Sequence, residues 1–504
     1  MMQRRCFSSS TSRLAASAKK LRKKMHWADE AKLLTNIQRA LNHYDDFYGS
    51  VFGKQWPSMR LGLLSPPKYM AIPNSFTGNI EIITQKLEGM GAYNIQQLWS
   101  DSQLVLEKES KELDLNKDLG RLHQLDKTLE AIAATKKAAE LDLLYQNAPT
   151  GKRPGDIQMG KPPMGRLISK VSEASADFIP STKMKGMDDF TLDSEYFSSY
   201  LKKHDESLDD EAATENTDTT EDNDVLFIKP NQSQSLLQFP KFLIPYSFEN
   251  GSAMNFPPAS RDSSNLREYI CVNGSSILPV IALDLRPGTN LLDMCAGPGT
   301  KSLMALMTMT ADSITCNDLE TSRLARVKNI LLEFIGTSKP EMITFTKYNS
   351  RDHPARQEYS RVLVDVPCLN DRVSCTVADN NIFKPKRTKE RLALVKTQKE
   401  ILLSGFKTVD QNDGSAVVYS TCTLSPIEND GVVMNALKET EVPNLYIDLV
   451  GLIKLVTPFE RAGVFRVTRT RCGILVTPTT TRNFGPMYVS RIVVKPLMPA
   501  NDVS

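Results

Sequence analysis

The stretch LLDMCAGPGTKS, residues 291–302, runs from an apolar segment through a turn with two glycines into a segment that favours helix. The apolar segment has the length of a buried strand, and glycine lets the backbone of the turn pass close to a ligand. The first N–H groups of the following helix have no partners within that helix and can bind a polar or anionic group. The glycine spacing matches neither GxGxxG nor GxxxxGKS/T, which disfavours dinucleotide and P-loop sites.

Strand-like and helix-like segments alternate along the second half of the chain. The strand-like runs are residues 290–294, 313–317, 342–346, 361–366, 415–420, 463–468 and 488–494. Segments long enough for helices separate the first five runs, which predicts βαβ crossover units and a mostly parallel, doubly wound α/β sheet of the Rossmann-like type. The last two runs lie close together without an obvious long helix after them, so we expect an antiparallel pair at one edge.

Polar residues end the runs that follow the glycine turn. Asp318 ends the second run, where a carboxylate can accept both ribose hydroxyls of an adenosine; taken alone, it could equally cap the next helix. Asn349, followed by Ser350, ends the third run, where an adenine would lie. The Asn349 amide oxygen can accept a hydrogen bond from an exocyclic amine or form a turn. A small adenosine-bearing ligand at this edge is most economically S-adenosylmethionine.

Two cysteines follow the next two runs, Cys368 in VLVDVPCLNDR (362–372) and Cys422 in GSAVVYSTCTLSPIEND (414–430). Because ligands bind beyond the carboxyl ends of the strands in such sheets, both thiols are predicted to border one pocket. A thiolate that adds to C6 of a pyrimidine makes C5 nucleophilic toward a methyl donor, and Asp365 is the candidate to hold ring N3 and the exocyclic amine. A single cysteine is more often a buried core residue, but the matched positions favour catalysis.

The motifs DMCAGPGTK, DVPC and STCTLSPIEN resemble those of the NSUN (Sun-domain) family of S-adenosylmethionine-dependent RNA 5-methylcytosine methyltransferases, over residues 230–504. The resemblance implies a class I methyltransferase fold, with Cys422 as the nucleophile and Cys368 assisting release of the methylated product. DNA cytosine-5 methyltransferases use the PC cysteine as nucleophile, so the TC cysteine favours RNA over DNA. The implied cofactor contacts are Gly299, Thr300, Lys301, Asp318, Arg323, Asn349, Ser350 and Asp365.

Two positions depart from the family pattern. The family turn CAAPGGK reads CAGPGTK here, with Thr300 in place of a glycine, and the acid that usually ends the third strand is Asn349. Asparagine keeps an acceptor oxygen, so we expect adenine binding to be weakened rather than lost. The departures leave a rival function open, a non-catalytic rRNA-binding factor for mitochondrial ribosome assembly. Both cysteines and Asp365 are retained, which favours the enzyme, because binding alone needs none of them.

Three further stretches are similar to the mitochondrial ribosomal-RNA branch of the family: residues 48–65, 380–392 and 483–488. The enzyme of that branch methylates small-subunit rRNA and pairs with a helical-repeat protein of the mTERF family. The resemblance therefore implies mitochondrial rRNA as substrate, a role in ribosome assembly and an mTERF-family partner. Nothing in the sequence excludes mitochondrial tRNA as a second substrate.

The sequence before residue 226 predicts three regions. Residues 1–24 contain eight Lys or Arg and no acid, which predicts a transit peptide and the mitochondrial matrix as destination; a basic disordered tail is the alternative. Residues 25–145 favour helix, and residues 146–225 are polar and contain an acidic run, which predicts a disordered insert. The methyltransferase domain is predicted over residues 226–504.

Composition excludes several other classes of protein. No apolar run approaches the roughly 18 residues of a membrane helix, and the 8 cysteines and 5 histidines lack the paired spacing of a zinc site or a disulfide framework. The net charge of +3 is weak evidence for nucleic acid. A local basic cluster after the Cys368 loop is suited to contacts with RNA phosphates. The alternative is a solvated helix face, with Leu392, Val395 and Leu402 packed inward. The cluster is Lys384, Lys386, Arg387, Lys389, Arg391, Lys396 and Lys399.

Overall fold

The computed structural model describes residues 34–109, 237–336 and 340–494. In chain order the strands are β1 (Tyr69–Pro73), β2 (Tyr93–Asn94), β3 (Tyr246–Ser247), β4 (Tyr269–Asn273), β5 (Thr289–Asp293), β6 (Ala311–Asn317), β7 (Ile343–Thr346), β8 (Arg361–Asp365), β9 (Ala416–Thr421), β10 (Leu445–Ile447), β11 (Val467–Arg469), β12 (Ile474–Val476) and β13 (Met487–Val494). The helices are α1 (Asn36–Phe52), α2 (Trp56–Leu64), α3 (Ile80–Gly89), α4 (95–109), α5 (Ile277–Ala282), α6 (Thr300–Met307), α7 (Thr321–Ile335), α8 (Asp371–Thr376), α9 (Thr388–Leu392), α10 (Leu394–Thr408), α11 (Val432–Glu439) and α12 (Leu449–Arg461). Short helical turns of 3-10 or π type occur at Gly53–Gln55, Gly274–Ser276, Pro340–Met342, Ser350–Asp352, Pro385–Arg387 and Ile427–Gly431.

The larger sheet of the described residues has nine strands, in the order β11-β12-β13-β9-β8-β5-β6-β7, with β10 paired to β13. Strands β9, β8, β5, β6 and β7 are parallel, whereas β13, β12 and β11 continue the sheet in antiparallel pairs. The central strands are covered on both faces, so β9 is buried at every residue and carries an apolar run. The predicted Rossmann-like sheet with an antiparallel edge is confirmed.

The antiparallel edge differs in detail from the prediction. The run predicted at 463–468 forms a strand only as β11, at 467–469. Strands β10 and β12 were not predicted, because each is three residues long and too short to show an alternating pattern.

A smaller antiparallel sheet, in the order β2-β3-β1-β4, joins the N-terminal region to the rest of the chain. Strand β1 pairs with β4 along five residues, from Tyr69 opposite Asn273 to Pro73 opposite Tyr269. Residues 34–109 are therefore largely helical, as predicted, but they also contribute two strands that the prediction lacked. The predicted transit peptide (1–24) and insert (146–225) lie outside the described residues.

The described chain divides into two units. Residues 34–103 and 237–494 belong to the first unit, and residues 104–109, which are helical, belong to the second. No described helix is long and apolar enough to cross a membrane. Within the same residues there is no group of three or more His, Cys, Asp or Glu side chains that could hold a metal ion.

Candidate active site

The carboxyl ends of β5, β6 and β7 are tied together by one buried side chain, Asn317. Its amide nitrogen donates to the backbone oxygens of Met294 and Tyr348, at 3.1 Å each, and its amide oxygen accepts from the Tyr348 N–H at 2.7 Å. Asn317 was not among the predicted site residues. The available signal was a polar residue at the end of a buried strand, directly before Asp318.

The glycine turn after β5 packs tightly against the next βα unit. The Gly297 N–H donates to Asp318 Oδ2 at 3.1 Å, and a Cβ on Gly297 would lie 2.6 Å from that oxygen. Gly299 has a φ of +110°, and its Cβ would lie 3.1 Å from the Val327 Cα. Both positions therefore require glycine. Thr300 is the first residue of α6, where ordinary helical backbone accepts a side chain, so this departure leaves the turn intact.

Asp318 is 3% exposed, and the Glu320 N–H donates to its Oδ1 at 2.9 Å. The N-cap of α7 is Glu320, so the alternative of Asp318 as the helix cap is wrong. Arg323 Nε lies 3.9 Å from Asp318 Oδ1, which places a positive charge beside this carboxylate.

The two residues predicted near adenine differ in exposure. Asn349 is exposed, and its side-chain oxygen accepts from the Arg351 N–H at 3.2 Å, so it forms the turn that the sequence left open as an alternative. Ser350 is buried, and its hydroxyl donates to the Met294 backbone oxygen at 2.6 Å. The Ser350 side chain thus anchors the backbone at the start of the glycine turn.

A lysine and an aspartate meet between α6 and β8. Lys301 Nζ lies 2.6 Å from Asp365 Oδ2, and the Ser420 hydroxyl donates to Asp365 Oδ1 at 2.7 Å. Burial alone would lower the pKa of Lys301, but the Asp365 carboxylate outweighs it, and the pKa stands above its usual range. Lys301 is therefore an ammonium ion, paired with a carboxylate at the end of a central strand.

The two cysteines are in direct contact. Strands β8 and β9 are parallel neighbours with Asp365 opposite Ser420, so the loops that follow them leave the sheet side by side. The Sγ atoms of Cys368 and Cys422 are 3.1 Å apart, and the Cys422 N–H donates to Cys368 Sγ at 3.3 Å. The hydrogen bond with Cys422, together with burial, raises the pKa of Cys368 well above its usual range. Cys368 is therefore a neutral thiol at neutral pH.

Asp371 joins the two cysteine loops. Its carboxylate accepts from the Leu424 N–H at 2.7 Å and from the Thr423 hydroxyl at 2.9 Å, both just after Cys422. The Tyr48 hydroxyl of α1 also donates to it, at 3.0 Å. Burial raises the pKa of Asp371 to about 6. Its partners lie far away in sequence, so sequence patterns could not identify it.

Glu428 is a second buried acid behind the cysteines. Its Oε2 accepts from the Leu369 N–H at 3.1 Å, next to Cys368, and from Gln398 Nε2 at 2.8 Å. Burial raises the pKa of Glu428 to about 8, so the side chain is protonated at neutral pH. Its Oε1 has no hydrogen-bond partner within the described part of the chain.

The stretches 48–65, 380–392 and 483–488 all contact α8, the helix that directly follows the Cys368 loop; from the second stretch, Asn381 Nδ2 donates to the Ser374 backbone oxygen at 2.8 Å. Arg372 donates to the backbone oxygens of Gly62 and Gly485, at 2.9 Å each. Phe383 packs edge-on against Tyr44 of α1, with ring centroids 5.3 Å apart. Three distant stretches of sequence thus form one support for this helix.

A cavity of about 420 Å³ opens at this edge of the sheet, within the usual size range of small-molecule sites. Its lining includes Lys301, Arg323, Asp365, Cys368 and Cys422. The other residues predicted to bind the cofactor lie outside the lining: Gly299, Thr300, Asp318, Asn349 and Ser350.

The basic cluster lies outside the cavity lining. It is close to the Cys368 loop, since Gln398, on the same helix as Lys396 and Lys399, donates to the Pro367 backbone oxygen at 2.9 Å. Its exposed members are Lys386, Lys389 and Lys396. Leu402 packs inward as predicted, whereas Leu392 is 66% exposed, so its predicted inward packing is wrong.

A doubly wound parallel sheet with this glycine turn after β5, an acid after β6 and a cavity at the ends of its strands defines a class I S-adenosylmethionine-dependent methyltransferase. Residues 280–455 match the family model described as 16S rRNA methyltransferase RsmB/F. The mitochondrial tRNA (cytosine(34)-C(5))-methyltransferase of Mus musculus is 31% identical over 261 residues, which cover 51% of this chain and 72% of that protein. The chain belongs to the RsmB/F, or NSUN, family of RNA cytosine-5 methyltransferases.

Two further comparisons cover nearly the whole chain. The 5-cytosine rRNA methyltransferase nsun-4 of Caenorhabditis elegans is 29% identical over 470 residues, which cover 91% of this chain and 92% of that protein. Among solved structures, a methyltransferase homologue from Pyrococcus horikoshii is 14% identical and covers 91% of this chain and 99% of that one, with a TM-score of 0.45. Because that score is below 0.5, the family assignment rests on the sequence matches.

The residues present fit the cofactor of this class, S-adenosylmethionine. Gly297 and Gly299 keep the turn free of side chains, and the α6 N-terminus follows directly. The Asp318 carboxylate lies at the end of the strand next to the turn, where a ribose is bound in such sheets.

Proposed function

We propose that the protein transfers a methyl group from S-adenosylmethionine to C5 of a cytosine in mitochondrial small-subunit rRNA, and so supports assembly of the mitochondrial ribosome. The observation that carries this proposal is the contact between Cys368 and Cys422, at the ends of adjacent strands and beside the Lys301–Asp365 pair. Binding RNA needs neither thiol, whereas methyl transfer to a pyrimidine C5 uses a sulfur nucleophile.

Cys422 is the proposed nucleophile. Its thiolate forms a bond to C6 of the cytosine, and the electron pair displaced from the C5–C6 double bond makes C5 nucleophilic. When bound, S-adenosylmethionine would supply an electrophilic methyl group to C5 and would itself leave as the thioether S-adenosylhomocysteine. A base then removes the C5 proton, and the electron pair of that bond restores the double bond as the Cys422 thiolate leaves C6.

Asp365 and Lys301 are proposed to hold the ring during this addition. The Asp365 carboxylate can accept a hydrogen bond from the exocyclic amine. The Lys301 ammonium, 2.6 Å from Asp365, stabilises the negative charge that develops on a ring held there. Asp365 would thus act together with Lys301, a pairing that the sequence did not predict.

Cys368 is proposed to assist release of the product. The hydrogen bond with Cys422, together with burial, raises the pKa of Cys368, so its sulfur keeps its proton at neutral pH. Its sulfur lies 3.1 Å from the Cys422 sulfur and therefore contacts the atom that must leave C6.

The proposed cofactor site combines the start of α6 with the ends of β6, β7 and β8. Its residues are Gly299, Thr300, Lys301, Asp318, Arg323, Asn349, Ser350 and Asp365. The departures from the family pattern at Thr300 and Asn349 left open the rival function of a non-catalytic assembly factor. Thr300 lies at the start of a helix and Asn349 in an exposed turn. Neither position disrupts the glycine turn, which supports the catalytic function.

The choice of substrate rests on relatives. The name of the Caenorhabditis elegans relative specifies rRNA, and the family description specifies 16S rRNA, which supports small-subunit rRNA. The name of the Mus musculus relative supports mitochondrial tRNA as a second substrate and a mitochondrial location. We propose the matrix as that location, with residues 1–24 as the transit peptide, and an mTERF-family helical-repeat protein as partner.

The test is methyl transfer by the full chain from S-adenosylmethionine to mitochondrial small-subunit rRNA of the same organism. Bisulfite sequencing then locates the modified cytosine. We expect one or a few cytosines to be protected from conversion, and none with Cys422→Ala. Equal modification by Cys422→Ala would contradict the assigned nucleophile. Tight S-adenosylmethionine binding without methylation of rRNA or tRNA would favour the assembly factor.

A further inference from the structure

An exposed aromatic side chain lies in the lining of the catalytic cavity. Tyr69 is the first residue of β1 and is 41% exposed, whereas every other residue of β1 is buried. The same cavity is lined by Cys368 and Cys422. Core packing does not explain a large aromatic ring left open at this place.

The backbone on both sides of Tyr69 is held in place. Tyr69 pairs with Asn273 of β4, and the Lys68 N–H donates to the Asn483 backbone oxygen at 2.9 Å. The buried Lys68 side chain donates to the Phe248 backbone oxygen at 2.7 Å. The ring is therefore carried by a rigid strand, as a binding platform requires.

The cavity that Tyr69 lines contains both apolar side chains and positive charges. Pro67, Val373 and Met487 line the same cavity, and the Arg372 guanidinium interacts electrostatically with Tyr69. No residue of the described chain forms a hydrogen bond with the Tyr69 hydroxyl. The ring is thus available to a partner with a flat, apolar face.

We propose that Tyr69 stacks on an RNA base next to the target cytosine. This inference rests on the proposed function, because it takes RNA as the substrate. To reach Cys422, the target cytosine must leave its stack, and its neighbour then exposes one face. In the proposed mechanism, Asp365 binds the amine edge of the target cytosine and Cys422 bonds to its C6. The Tyr69 ring is therefore available to the base next to the target. Stacking on aromatic side chains is the usual way in which proteins bind unstacked RNA bases.

The test compares Tyr69→Ala with Tyr69→Phe in the full chain, using the small-subunit rRNA transcript as substrate. Tyr69→Ala removes the stacking contact with one base and should raise the KM for RNA roughly 5- to 100-fold. Phenylalanine keeps the ring, so Tyr69→Phe should restore most of the loss. The Kd for S-adenosylmethionine should match the wild type in both variants, which also reports that they are folded.

Phe242→Ala is the matched control, because Phe242 is 45% exposed and lies outside the cavity lining. Its KM for RNA should equal that of the wild type. An unchanged KM in Tyr69→Ala would overturn the inference, as would a Tyr69→Phe variant as poor as Tyr69→Ala or a raised Kd for S-adenosylmethionine. Should Tyr69→Ala fail to fold, Tyr69→Leu replaces it with the same expectation. A wild-type protein that methylates no RNA would contradict the proposed function instead.

Discussion

The two halves of the candidate site are built in different ways. The centre of the cofactor half is a consecutive stretch, from the end of β5 through the glycine turn into α6, and the Asp318 carboxylate that holds the turn lies 21 residues from Gly297. The acceptor half gathers residues from across the chain. Tyr48 and Asp371, which are hydrogen-bonded to each other, are 323 residues apart in sequence.

The two halves are sensitive to different kinds of substitution. Steric fit of the backbone controls the cofactor half, so a single added Cβ should disturb it. Buried polar side chains control the acceptor half, and a change there should act on the chemical step or on stability. The two halves should therefore respond to substitution in different measurements.

After the complete loss expected for Cys422→Ala, the largest effect is expected from Asp365→Asn in the acceptor half. Loss of the carboxylate removes a hold on the cytosine and leaves the Lys301 ammonium without its partner, so kcat for RNA methylation should fall roughly 100- to 1,000-fold. Ser420→Ala removes only the hydroxyl that donates to Asp365 and should cost about tenfold or less. Equal losses in the two variants would contradict the role given to Asp365.

Gly297→Ala should act on the cofactor half instead. Its Cβ would lie 2.6 Å from Asp318 Oδ2, so the turn or the carboxylate must shift. The Kd for S-adenosylmethionine, measured by calorimetry, should rise at least about tenfold, whereas the Kd for RNA should not change.

Gly89→Ala is the matched control for that change, since a Cβ there meets no atom within 4 Å. It should bind S-adenosylmethionine as the wild type does. A Gly297→Ala protein with wild-type cofactor affinity would show that the turn does not form the cofactor site.

Glu428→Gln should change the pH dependence of stability. The pKa of Glu428 is about 8 in the folded protein, above its usual value of 4.5. Its contribution to the free energy of unfolding is therefore complete below pH 4.5 and is lost as the pH rises through about 8. The slope amounts to at most about 1.4 kcal/mol per pH unit, and Glu428→Gln should remove it.

Denaturant unfolding from pH 5 to 8 measures this slope. Glu439→Gln, on the surface and paired with Lys399, is the control and should keep the wild-type slope. An unchanged slope in Glu428→Gln would mean that Glu428 is ionised in the folded protein. Asp371 and Asp293, whose pKa values burial raises to about 6 and about 7, contribute slopes of the same sign in both variants.

The sequence predicted most of the larger sheet, because each of its parallel strands is a run of consecutive residues. The residues assigned to the cofactor half stay a prediction. The five parallel strands lie within two residues of their predicted positions. Strands β1 and β2 were missed, since short strands in a mostly helical region take their structure from partners such as β4.

The acceptor half was only partly predictable. The two cysteines and Asp365 were predicted from their positions at and just after the ends of β8 and β9, and their roles stay proposals. Asp371 and Glu428 were not, because each owes its role to burial and to partners that become neighbours only in the fold. The Lys301–Asp365 contact likewise joins residues from α6 and β8, and no spacing rule connects them.

The division of labour between the two thiols is the central claim, and the covalent adduct with RNA tests it most directly. Cys368→Ala should complete the attack by Cys422 and then release the product slowly, so incubation with RNA and S-adenosylmethionine should give a shifted band on a denaturing gel. The double variant Cys368→Ala/Cys422→Ala should give no such band. An adduct in the double variant would contradict the assignment. So would a Cys368→Ala variant that forms no adduct while Cys422→Ala forms one.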